Sequence, residues 1–172
     1  MFKTLGITLI IGSTSAFGVA KKIHYLHRVK SLEQIVLMIN IMQRELTFNC
    51  PKTAELIKLL SNELTFPICE IFKKMHKNLL IDDDLSVKLK WSKMFQENTE
   101  KANLTTHDVE IISNIANVIG KFDVEEQVKS LEYYKSLILE NLQQAKLLYK
   151  NEGNIIRAIS ISLGMIIAII LI

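Results

Sequence analysis

Charge is confined to the middle of this chain. From Thr4 to Ala20 no residue is charged, and none is from Ala158 to Ile172. Apart from Lys3, every Lys, Arg, Asp and Glu lies between Lys21 and Arg157. A water-soluble domain gains nothing from apolar ends, because termini fray and meet solvent. Two uncharged ends make sense if both dissolve in a bilayer and hold the intervening residues at its surface.

A spanning helix needs about 20 apolar residues, with a lower limit near 17. The first stretch meets that limit, with Phe2 and Leu5 extending it while Lys3 snorkels toward head groups. The second meets it once Ile155 and Ile156 are included and Arg157 snorkels. The reading is therefore a transmembrane helix over 1–20, a cytoplasmic helical bundle over 21–154 and a transmembrane helix over 155–172. A cleaved signal peptide is the competing reading of the first stretch, since Gly18-Val19-Ala20 has the small-x-small pattern. Against it, Lys21, Lys22, Arg28 and Lys30 follow at once, and a basic cluster after an apolar run resists translocation. Lys146, Lys150 and Arg157 precede the second stretch. Both flanks place the middle in the cytoplasm, with both termini outside.

The middle carries nearly balanced charge and no basic stripe away from the first flank, which argues against a nucleic-acid partner. The basic residues beside the first stretch suit anionic membrane lipids. Cys50 and Cys69 are the only cysteines. In the cytoplasm they are expected to be reduced.

The middle shows no alternating strand pattern and no tight-hairpin dipeptide. Its apolar residues recur at three and four, which predicts an all-α fold of about six helices. The first has Leu32, Ile35, Val36, Ile39, Met42 and Leu46 on one face and continues out of the apolar end without a break. Cys50-Pro51 stops it, because the residue before proline is pushed toward the extended region. The second carries Ala54, Ile57, Leu60 and Leu64 up to Phe66-Pro67. The third buries Ile68, Ile71, Phe72, Met75 and Leu79.

Asp82-Asp83-Asp84 opens a turn in which an aspartate caps the fourth helix. That helix buries Val87, Trp91, Met94 and Phe95. Thr105 or Thr106 caps the fifth, with Asp108 placed for a capping box. Val109, Ile112, Ala116 and Ile119 follow, and Gly120 stops the helix. Asp123 and Glu126 open the longest helix, with Val128, Leu131, Ile138, Leu142, Ala145 and Tyr149 along it. It either kinks at Gly153-Asn154 or runs straight into the second apolar end.

The layout and one short stretch resemble the stage III sporulation protein AB family of endospore-forming bacteria. The shared layout is an apolar segment at each end and a helical middle with Trp91 in its fourth helix. The stretch is Gly120-Lys121-Phe122-Asp123, with Gln127 four residues on and Leu131 after it, joining the last two helices. Leu104, Asp108 or Glu110, and Ile112 match in character. Ile119 and Phe122 depart from the family's commoner residues.

The resemblance implies a component of the assembly joining mother cell and forespore, in the cell membrane on the mother-cell side. It implies a domain like the platform proteins of type II secretion and type IV pilus systems, docking a cytoplasmic ATPase, the stage III sporulation protein AA, and meeting other channel components. Gly120, Asp123 and Gln127 are the candidate partner-binding or turn residues. The long last helix is a candidate for homo-oligomerisation.

Chemistry has thin support. No Gly-rich phosphate loop occurs, so this chain is not read as the ATP-hydrolysing partner. His24 and His27 share a helical face but lack nearby carboxylate or thiolate ligands, and the three aspartates lack the alternation of a calcium loop. No enzyme activity, metal or cofactor is expected. Two other classes remain. A membrane-tethered sensor or phosphotransfer domain would use His76 or His107, and an exported adhesin-like domain would require cleavage after Ala20.

Overall fold

Helix α1 spans Phe2–Phe48, and nothing in its sequence interrupts it: no proline occurs before Pro51. The computed structural model describes residues 2–79, 85–120 and 123–171, with side-chain surroundings at only some positions of 2–20 and 152–171. Helices α2 (Thr53–Glu63), α3 (Ile68–Leu79), α4 (Val87–Glu97), α5 (Thr106–Ile115) and α6 (Val124–Leu171) follow. No strand occurs among the described residues, so the fold is all-α with six helices. The last helix runs through Gly153-Asn154 without a break.

The chain forms two compact units, Met1–Val29 with Gln143–Ile172, and Lys30–Leu142. Among the described residues, no helix is long and apolar enough to cross a membrane. Most side chains of the two expected spans, 1–20 and 155–172, lie outside the described residues.

In the Lys30–Leu142 unit, α2 packs on α3, α3 on α4, and α4 on α5. The predicted stripe of α1 is buried at Leu32, Ile35, Ile39, Met42 and Leu46, with Met38 and Ile41 added, while Val36 is half-buried. Phe72, Trp91 and Phe95 are fully buried and form an aromatic cluster at the α3–α4 junction. The rings of Phe72 and Trp91 meet edge to face with centroids 5.2 Å apart, a favoured aromatic geometry. The Trp91 indole N–H also donates to the carbonyl of Ile112, 3.0 Å away, which satisfies its polar atom inside the core. Trp91 and Phe95 are therefore core residues of this unit, as their helical spacing predicts.

Local stops differ in part from the sequence reading. Cys50 does not go extended before Pro51; it adopts φ +44, the left-handed region. There its N–H reaches the carbonyl of Glu45 at 2.9 Å, so the α1 end is closed by a backbone bond across the turn. Helix α4 is capped by Ser86, whose hydroxyl accepts from the N–H of Leu89 at 3.4 Å. The aspartates expected to cap it, 82–84, lie outside the described residues.

Val87, placed on the buried face, is 37% exposed because it stands in the first turn, ahead of the packed stretch. Ala54 is exposed for the same reason at the start of α2, where Leu56 is buried instead. Helix α5 has its capping box as expected. The Thr105 hydroxyl accepts from the Asp108 N–H at 3.2 Å, and the Asp108 carboxylate accepts from the Thr105 N–H at 2.8 Å. Cys50 and Cys69 are both free thiols.

Candidate functional site

The turn between α5 and α6 brings Gly120, Asp123 and Gln127 together. Gly120 has φ +78, which an L side chain adopts only under strain, and a Cβ there would meet nothing within 4 Å. Its constraint is therefore conformational and not one of space. The Gly120 N–H donates to Gln127 Oε1 at 3.2 Å, and Gln127 is buried. Asp123 caps α6, its Oδ1 accepting from the Glu126 N–H at 2.8 Å. The three residues thus form one turn in which each side chain or dihedral has a structural duty. Of the three, only Asp123 presents an exposed side chain.

An open groove runs beside this turn, between the last turns of α1 and the first turns of α6. Gln43 and Thr47 line it from one helix, and Val124, Val128 and Glu132 from the other. Gln43 ties the two helices together, donating from Nε2 to Glu132 Oε2 at 2.8 Å and to the Val128 carbonyl at 3.4 Å. The bond from Gln43, together with one from Lys135, holds the Glu132 carboxyl below the ordinary carboxylate range. Glu125 and Lys129 complete the rim, so an apolar strip of two valines is edged by charge of both signs. Phe48, at the end of α1, is 79% exposed. Such a surface suits a protein partner better than a small substrate, which needs a concave site that covers it.

Sequence reasoning missed three polar anchors in this unit. Asn141 donates from Nδ2 to Asp108 Oδ1 at 2.8 Å, and both residues are buried. Lys90 is buried and donates to the Asn78 carbonyl at 2.8 Å, which neutral-looking helical spacing concealed. Gln34 Oε1 accepts from the Thr65 N–H at 2.8 Å, fixing the α2–α3 connection to α1. A polar residue at a heptad-like core position, such as Asn141 three after Ile138, was the one available signal.

The basic flank divides by burial. Lys21 and Lys30 are exposed, Arg28 is half-buried, and Lys22 stands over the Tyr149 ring with Nζ 5.5 Å from its centroid. The side chain of Arg157 lies outside the described residues. His107 is exposed, its Nδ1 3.9 Å from Glu110. His76 Nδ1 is buried and lacks a hydrogen-bond partner among the described residues. No group of three or more His, Cys, Asp and Glu able to hold a metal ion occurs among the described residues.

No curated protein and no solved structure gives a significant match to this chain. The resemblance rested on the apolar segment at each end, the helical middle with Trp91 in its fourth helix, and the Gly120–Gln127 stretch between the last two helices. The family model of stage III sporulation protein AB matches residues 3–172, and the chain belongs to that family.

Proposed function

We propose that this sporulation-family protein is a non-enzymatic platform of the mother cell–forespore channel complex. Its two apolar ends anchor it in the membrane and its Lys30–Leu142 unit docks the cytoplasmic ATPase, the stage III sporulation protein AA. One structural observation supports the reading. Helices α1 and α6 each begin or end in an uncharged stretch and each also contributes to the helical unit, so bundle and apolar ends share continuous backbone. The groove beside the Gly120–Gln127 turn is the docking surface in this reading, its valines supplying apolar area and its charged rim the orientation.

The test is a pull-down of the detergent-solubilised full chain with the purified ATPase. Binding is expected for the natural sequence and for Glu55→Gln, an exposed α2 control. Val128→Arg, which introduces charge into the strip, is expected to weaken binding at least tenfold. Absence of binding by the natural sequence at high micromolar concentration defeats the ATPase-docking reading. Cysteine-accessibility labelling at positions 45 and 97, with the interior protected in intact cells, checks the cytoplasmic placement separately.

A further inference from the structure

Within the Met1–Val29 and Gln143–Ile172 unit, the contact between Lys22 and the Tyr149 ring sets α1 beside α6 at one level. Lys21 is exposed next to Lys22, and Lys146 and Lys150 are exposed three residues before and one after Tyr149. A helical turn rises about 5.4 Å, so these four lysines occupy a band about one turn tall contributed by two helices. The unit's sequence holds seven Lys and Arg residues and a single acidic residue, Glu152. The other unit holds fourteen basic and seventeen acidic residues. Cationic excess is thus gathered in the unit that also contains both uncharged stretches.

A unit whose sequence holds seven basic residues and one acidic residue favours anions in its surroundings. Position identifies the anions. Lys21 follows directly on the uncharged stretch that ends at Ala20. A lysine there keeps its methylenes along apolar surface while its ammonium reaches the phosphate level. Tyrosine favours that same boundary, where its ring is apolar and its hydroxyl wet. An acidic protein or nucleic acid would call for a basic face on the helical unit, whose balance is negative instead.

We infer that Lys21, Lys22, Lys146 and Lys150 form a two-helix band that binds the phosphates of anionic lipid headgroups, with Lys22 positioned by the Tyr149 ring. This rests on the membrane anchoring proposed above and adds lipid selectivity to it. The full chain is reconstituted in phosphatidylcholine vesicles carrying trace spin-labelled phosphatidylglycerol or phosphatidylcholine, and the relative association of the two labels is read by electron paramagnetic resonance. The natural chain is expected to prefer phosphatidylglycerol about fivefold, falling below about twofold in the K21Q/K22Q/K146Q/K150Q variant. The corresponding four-arginine variant keeps the preference, and Tyr149→Phe keeps it while Tyr149→Leu weakens it. Inorganic phosphate at constant ionic strength leaves the preference in place; its displacement by phosphate overturns the headgroup assignment. Equal preference in the natural and glutamine chains, with both floating on the vesicles, overturns the band alone. A chain that floats with neither vesicle overturns the anchoring as well.

Discussion

Asn141 in α6 reaches Asp108 at the start of α5, its amide Nδ2 2.8 Å from Asp108 Oδ1, with both residues buried. The other carboxylate oxygen, Oδ2, accepts from the Thr105 N–H in the capping box. One side chain therefore closes the N-terminus of α5 and fastens that end to α6. A buried polar group is costly unless its hydrogen-bonding atoms have partners, and the Asn141 amide supplies one of those the Asp108 side chain receives.

Replacing Asn141 by Leu removes a donor from a buried carboxylate and is expected to destabilise the Lys30–Leu142 unit by about 2–3 kcal/mol. Denaturant titration of the full chain, followed by emission of Trp91, the only tryptophan, reads this directly. The Asp108→Asn, Asn141→Leu double variant should lose less than the two single losses together, since they share one interaction. Strict additivity would show that the pair is not coupled.

Trp91 contributes both volume and a hydrogen bond. Trp91→Ala is expected to cost about 3–5 kcal/mol through the cavity left among Phe72 and Phe95. Trp91→Phe should cost less, about 1–3 kcal/mol, while leaving the Ile112 carbonyl without its indole donor. Far-UV circular dichroism under denaturant measures both, because the fluorescent probe is gone. Losses below 1 kcal/mol in the alanine variant would contradict the packing described.

At the α5–α6 turn, Gly120→Ala is expected to cost about 1–2 kcal/mol from its positive φ alone, as no neighbour obstructs a Cβ. Gln127→Leu should cost about 1 kcal/mol by removing the acceptor for the Gly120 N–H. Pull-down of the ATPase by either variant, performed where the fold remains intact, should match the natural chain. A selective loss of binding would give these residues a direct contact role.

Acid should loosen the groove. Hydrogen bonds from Gln43 and then Lys135 depress the Glu132 carboxyl, and Asn49 and then Arg44 depress Glu45. A carboxyl depressed on folding adds stability that is present above its ordinary unfolded value, about 4.3, and lost as pH falls through the lower folded value. The midpoint of denaturation should therefore fall between about pH 5 and pH 3, and Glu132→Gln should flatten that slope. A slope unchanged by the substitution would detach Glu132 from the effect.

Much of the helical content was legible because helices obey local rules. The stripe from Leu32 to Leu46, the Thr105–Asp108 capping box and the Asp123 cap are set by residues within four positions of one another, so spacing alone finds them. The Gly120 stop is not met as expected: α5 ends at Ile115, and residues 116–120 form a turn in which Gly120 holds the positive φ. Cys50 and Val87 were misjudged where a local rule met a neighbour. The α1 end is closed by a bond back to Glu45, and the first turn of α4 lies ahead of the packed stretch. The bonds of Lys90, Asn141 and Gln34 were not legible, because their partners, Asn78, Asp108 and Thr65, lie from 12 to 33 residues away.

The candidate site divides in the same way. Gly120, Asp123 and Gln127 could be named in advance because a turn is written in consecutive residues. The groove beside them could not, since it needs Gln43 and Thr47 of α1 opposite Val124 and Val128 of α6, about 80 residues apart. By itself the sequence determined where charge is absent, which residues favour helix and where helices stop, all consequences of local sterics and solvation. Only the tertiary structure decided which faces meet, because burial and long-range hydrogen bonds exist only once distant helices have packed together.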